Sequence, residues 1–144
     1  MKTRAHLITL GVADLSKSLA FYERFGWEEA LESIEGGVVF FQANGFVLGL
    51  YPQENLSKDM GGDVSPRPGG ISIGQNFDSA EAMRAGLERF ISAGGTMLRE
   101  PFEAPWGLIS YAADIDGHVW EFAHVPGFEP NEAGEFILPS ERSE

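Results

Sequence analysis

The chain has 144 residues, 43% of them hydrophobic and 12% aromatic, which fits one compact domain or two small fused halves around a real core. Ten Lys plus Arg against 22 Asp plus Glu leave a formal charge of -12, a field that repels phosphate backbones and anionic lipid, so neither nucleic acid nor a membrane is an expected partner. With no cysteine there is no disulfide, thiolate zinc site, iron-sulfur cluster or cysteine nucleophile, and any metal site must use His, Asp or Glu. No secretory signal pattern is visible, and no window approaches the roughly 18 to 20 apolar residues of a membrane span, so a cytoplasmic protein is expected.

Leu7 to Val12 reads as a short buried strand, followed by Asp14 as a helix N-cap. Leu15, Leu19 and Tyr22, with Phe21 and Phe25, recur at helical spacing, and Gly26 is a natural left-handed terminator. Strands are expected at Trp27 to Ile34, Val38 to Phe41 and Phe46 to Tyr51. Asn44-Gly45 between the last two signals a hairpin with a type I′ turn. Residues 52 to 69, rich in Pro and Gly, read as a connector without a continuous regular element.

The same order then returns. A strand is expected over Ile71 to Gly74, and Asp78 with Glu81 makes a capping box for a helix carrying Met83, Leu87, Phe90 and Ile91. Gly94-Gly95 stops that helix, and three strands follow at Thr96 to Phe102, Leu108 to Ala113 and His118 to Val125. Asp114 to Gly117 is the tight turn between the last two. Two βαβββ modules result, at residues 1–62 and 63–126, with an extended tail at 127–144. Gly45 to Leu50 overlays on Gly117 to Phe122, and Leu7 to Leu10 on Gly70 to Ile73. Phe128, Phe136, Ile137 and Leu138 predict that the tail docks on its own domain or on a partner subunit.

The stretches Gly11 to Trp27 (GVADLSKSLAFYERFGW) and Asp114 to Phe122 (DIDGHVWEF) resemble the strand-to-helix start and the DPDG-x-x-x-E ending of the vicinal oxygen chelate superfamily, the glyoxalase, bleomycin-resistance and extradiol dioxygenase group. The resemblance covers about residues 5 to 126. It implies an α+β fold in which two tandem βαβββ modules form a curled, mostly antiparallel sheet around a cleft. It also implies a divalent metal held by the first and last strands of both modules, and pairing of modules across chains as a homodimer. Carried over by position, the four ligand sites fall on Leu7, Gly49, Gly70 and Glu121, of which only Glu121 carries a donor. Three or four protein ligands are needed for a catalytic site of this kind, so no metal and no cofactor is expected. Strand alternation points His118 and His124 away from the Glu121 face, and His6 is out of step with Leu7.

Glu121 is the candidate catalytic residue, a carboxylate suited to general acid or base work in a metal-free cleft, with a hydrogen-bonded structural carboxylate as the alternative. Thr9 and Ser72, pseudo-equivalent in the repeat, could offer hydroxyls to a ligand. Tyr51, Trp106 and Tyr111 could supply aromatic contact, Pro105-Trp106-Gly107 reading as a cleft rim, although an aromatic on a strand is more often core. His118 is assigned to the turn. The expected function is a small-molecule binding protein of the glyoxalase and bleomycin-resistance type that sequesters or senses an organic ligand. The alternatives are a glyoxalase-family lyase or related enzyme with Glu121 as general base, and an interaction subunit with a vestigial cleft.

Overall fold

The computed structural model describes residues 4–28, 37–62 and 68–138. In chain order these form β1 (Leu7–Val12), α1 (Leu15–Phe25), β2 (Val39–Ala43), β3 (Phe46–Pro52), α2 (Gln53–Asp59), β4 (Ser72–Asn76), α3 (Ala80–Ser92), β5 (Thr96–Ala104), β6 (Gly107–Ala113) and β7 (Val119–His124). Two open mixed sheets result, ordered β1-β3-β2 and β4-β7-β6-β5. In each, the first strand lies parallel to the last of its module and the remaining pairs are antiparallel. The architecture is the α+β fold expected from the tandem modules. The strand expected at Trp27 to Ile34 falls mostly outside the described residues.

Local chemistry sets the helix ends. The Asp14 carboxylate accepts from the Lys17 amide at 3.0 Å, and Gly26, at φ 122°, turns its amide onto the Tyr22 and Glu23 carbonyls. At α3 the cap is Ser79, not Asp78: the Ser79 hydroxyl accepts from the Ala82 amide at 3.0 Å. Ser79 is the last extended residue before the helix, which leaves Glu81 in the first turn, favourably placed in the helix dipole. The hairpin at Asn44-Gly45 forms, but only Gly45 has positive φ, so the turn is not type I′.

The expected connector holds a helix. Pro52, lacking an amide hydrogen, precedes the two-turn helix α2, which packs against β1 and β3. The Tyr51 hydroxyl donates to Asp59 of that helix at 3.0 Å.

Both modules share one core. The inward positions of β1 and β3 (Leu10, Val12, Leu48, Leu50) meet α1, and α1 in turn meets α3 and β7 through rings. Phe21 and Phe25 each lie edge-on to Phe90 at 5.0 Å, Phe25 reaches Phe122 at 6.0 Å, and Tyr22 reaches Trp120 at 5.9 Å. A polar link runs through the same junction. Trp120 Nε1 donates to the Tyr22 hydroxyl, which donates to buried Asp114; the other Asp114 oxygen accepts from the amides of Asp116 and His118. Asp116 Oδ1 accepts from the Ala13 amide, and His118 Nε2 lies 2.8 Å from the Gly11 carbonyl oxygen. The DIDGH turn therefore fastens the end of β1 and α1 to β7.

The tail docks on its own chain, but through polar contacts. Asn76 Nδ2 donates to the Phe128 carbonyl and Asn44 Nδ2 to that of Ala133, so the segment straps β4 to the β2–β3 hairpin. Phe128, Phe136, Ile137 and Leu138 all stay exposed, because the strap passes over a groove rather than into the core.

Candidate functional site

Strand alternation gives each sheet one core face and one free face. On the second sheet, the register carries a row across all four strands: Arg99 of β5 pairs with Tyr111 of β6, Tyr111 with Glu121 of β7, and Glu121 with Gly74 of β4. The Tyr111 hydroxyl donates to Glu121 Oε2 at 2.7 Å. That bond, followed by partial burial and the negative charge of Glu121, pushes the Tyr111 hydroxyl up from its ordinary value, with Arg99 opposing. Tyr111 thus stays protonated and donating at neutral pH. Among the described residues a Cβ built on Gly74 would meet only Glu121 Oε1, at 3.8 Å, so there is room beside the second carboxylate oxygen. Ser72 stands two residues before Gly74 on the same face and is exposed.

Thr9 and Tyr51 belong to the other sheet. Thr9 pairs with Gly49 and Tyr51 with Gly11, all on the face of β1 and β3 that points away from the core and that α2 meets at Tyr51. Leu7, Thr9 and Phe40 converge over Gly49, at 3.4 to 3.5 Å from where a Cβ would sit, so this glycine makes room for its neighbours. Trp106 lies in the β5–β6 turn with 62% of its surface exposed. Gly107 beside it approaches the His124 carbonyl so closely that a Cβ would collide. The structure therefore brings Tyr111, Glu121 and Ser72 to one face and Thr9 and Tyr51 to another. Among the described residues no hydrogen bond joins the two groups.

A groove of about 1220 Å³ lies elsewhere, under the strap, with Trp27, Phe46, Phe77, Trp120 and Phe136 among its lining. It contains none of the sequence-predicted site residues and borders their face through Gly74 and Asn76 of β4.

Strand pairing revises the internal overlay. Gly49 pairs with Thr9 and Glu121 with Gly74, so Thr9 corresponds to Gly74 and Leu7 to Ser72. Gly70 lies before β4 rather than in it, and Thr9 and Ser72 are not equivalent. The four positions are then Leu7, Gly49, Ser72 and Glu121: one carboxylate, one neutral hydroxyl and two residues without donors. Such a set does not fit a divalent cation, and among the described residues no three His, Asp or Glu side chains group as metal ligands. His118 and His124 are engaged elsewhere, His124 Nδ1 lying 3.0 Å from the Phe77 carbonyl oxygen.

The sequence signature of the Glyoxalase/Bleomycin resistance protein/Dioxygenase superfamily matches residues 4–122. The chain belongs to this superfamily. A glyoxalase-related enzyme from Fulvimarina pelagi is 35% identical, with a TM-score of 0.87 over 96% of this chain and 100% of that one. A lactoylglutathione lyase from Agrobacterium tumefaciens shares the fold at 21% identity and a TM-score of 0.65, over 85% of this chain and 94% of the lyase. So does a genomically encoded fosfomycin resistance protein from Listeria monocytogenes, at 24% and 0.66, over 86% and 94%. No curated protein matches in sequence. Among the described residues no helix is long and apolar enough to cross a membrane.

Missing from the sequence reading of the free face are Arg99 and Phe102. The guanidinium carbon of Arg99 sits 3.4 Å from the centroid of the Phe102 ring. Their signal was the Arg-Glu-Pro-Phe break in β5, where a proline interrupts an edge strand and shifts the alternation.

Proposed function

We propose that this superfamily member binds a small organic molecule on the free face of its second sheet and sequesters or senses it without a metal at the four family positions. The observation that supports the reading most is the Tyr111–Glu121 pair. One carboxylate oxygen is fixed by the phenol, and the other stands beside the unfilled space over Gly74, ready to accept from a ligand hydroxyl or amine. Ser72 adds a hydroxyl at the same edge, and Trp106 an indole at the exposed β5–β6 turn.

Thr9 and Tyr51 would join this site where the first-sheet face of one copy meets the second-sheet face of another. A homodimer does this, and the exposure of Leu7, on the first-sheet face, and of Ile71, just before β4, supports it. We place the protein in the cytoplasm.

A second reading, an enzyme of the lyase type, rests on the same oxygen: Glu121 Oε1 would take a proton from a bound substrate while Tyr111 holds Oε2. A thermal-shift screen of small organic molecules in chelator, run on wild type and Glu121→Gln, tests both. Ligand-dependent stabilisation that Glu121→Gln weakens, with the ligand recovered unchanged, supports the binder. Recovery of a converted ligand supports the enzyme. Stabilisation indifferent to Glu121→Gln removes both.

A further inference from the structure

Arg99 is held on the ligand face by three separate features. The β5–β6 ladder shifts register on either side of it, between Met97 and Arg99 and between Arg99 and Phe102, and irregularities of this kind re-aim a side chain. Its carbonyl oxygen accepts, at 2.7 Å, from the hydroxyl of Ser110, a fully buried residue on the core side of β6. Its guanidinium carbon lies 3.4 Å from the centroid of the Phe102 ring, whose partner Ile109 shares the face of Tyr111. No carboxylate among the described residues lies within ion-pair distance of it. By contrast Arg24 is spent on the Ala93 carbonyl at a helix end, and Arg89 on the Arg24 carbonyl.

In a chain carrying -12 overall, Arg99 is an exposed cation that stacks on a ring and has no carboxylate partner among the described residues, which leaves its charge available to a ligand anion. We propose that Arg99 is the anion anchor of the site, so that the ligand is an organic acid whose body crosses Tyr111 and whose far end presents a hydroxyl or amine to Glu121. Resting on the second-sheet face being the ligand site, this names the class of molecule the site takes. Guanidinium binds a carboxylate through paired N–H donors, and the contact with the Phe102 ring restrains the side chain while it does so. Arg99 and Glu121 are two strand steps apart, about 10 Å, a span suited to a ring with polar groups at opposite ends.

The probe is 4-hydroxyphenylacetate, compared with its uncharged amide and with phenylacetate, titrated in chelator into the full-length isotope-labelled protein and followed by NMR. The acid is expected to bind about tenfold more tightly than the amide. Arg99→Gln is expected to abolish that preference; phenylacetate, lacking the hydroxyl, is expected to bind wild type more weakly than the hydroxy acid. Equal affinity for acid and amide, or a preference surviving in Arg99→Gln, overturns the anchor while leaving the face as the ligand site. No perturbation of the second-sheet face by any of the three overturns the proposed ligand class, and the wider screen above then judges the face itself. Exposure of Arg99 means that the variant folds; a spectrum unchanged away from β5 verifies it.

Discussion

The Tyr22 hydroxyl donates to the Asp114 carboxylate at 2.5 Å across 92 positions of sequence, and this bond joins the helix of the first module to the final turn of the second. Both groups are buried, and burial together with the neighbouring charge raises the Tyr22 hydroxyl well above its usual value, so it remains a donor. Tyr22→Phe leaves one oxygen of a buried anion without a partner and takes from Trp120 Nε1 its acceptor. The expected loss is about 2–3 kcal/mol in urea unfolding. A loss within about 0.5 kcal/mol, the range of ordinary surface changes, would mean that the modules are held by the rings alone.

Asp116 gives a pH dependence whose sign is fixed. Burial is the largest cause that pushes its carboxyl up from the ordinary 3.8, with the charge of Asp114 adding; the Ala13 amide, His118 and the Ser18 hydroxyl oppose. Among the described residues its second oxygen, buried near the Ser18 hydroxyl, forms no well-shaped hydrogen bond. An acid raised in the folded state holds its proton more tightly folded than unfolded, so stability falls as pH climbs from 3.8 through the folded value. Asp116→Asn keeps the Ala13 contact and removes the titration. The variant is expected to be at least as stable as wild type at pH 7 and to lose that part of the slope; denaturation curves at a series of pH values check it, and an unchanged slope would contradict it.

Divalent metals are expected to find no stoichiometric site. Calorimetric titration of zinc, nickel or manganese into chelator-treated protein should give no one-to-one binding tighter than about 1 μM, because Leu7, Gly49 and Ser72 leave Glu121 without fellow ligands. A one-to-one isotherm abolished by Glu121→Gln would show that a partner copy or residues beyond those described complete the ligand set.

Sedimentation equilibrium is expected to show a dimer that Leu7→Glu, placed on the free face of β1, weakens. A monomer at all concentrations would separate Thr9 and Tyr51 from the ligand site.

Periodicity made most of the fold readable. Phe21, Tyr22 and Phe25 lie on the buried face of α1, as Met83, Leu87 and Phe90 do on α3, because apolar spacing and burial obey the same geometry. Helix α2 escaped notice because its Gln-Glu-Asn-Leu-Ser-Lys-Asp sequence carries no apolar stripe and is flanked by Pro52 and two glycines. The overlay of β4 was displaced by two residues because Gly70 mimics a strand start, and only hydrogen-bond pairing with β7 reveals Ser72 as the true counterpart of Leu7. Tyr111 and Glu121 could each be singled out by residue type. Their contact, and the arrival of Arg99 beside them, depend on cross-strand register and on two ladder irregularities that side-chain alternation does not encode.

The most direct measurement is an NMR map of a small-molecule library on labelled protein kept in chelator. Binding shifts are expected to gather on Ser72, Gly74, Tyr111, Val119 and Glu121, on the free face of the second sheet. Shifts that gather instead in the groove under the 130–136 strap, or that arise only once a divalent metal is added, would contradict a metal-free site at Glu121.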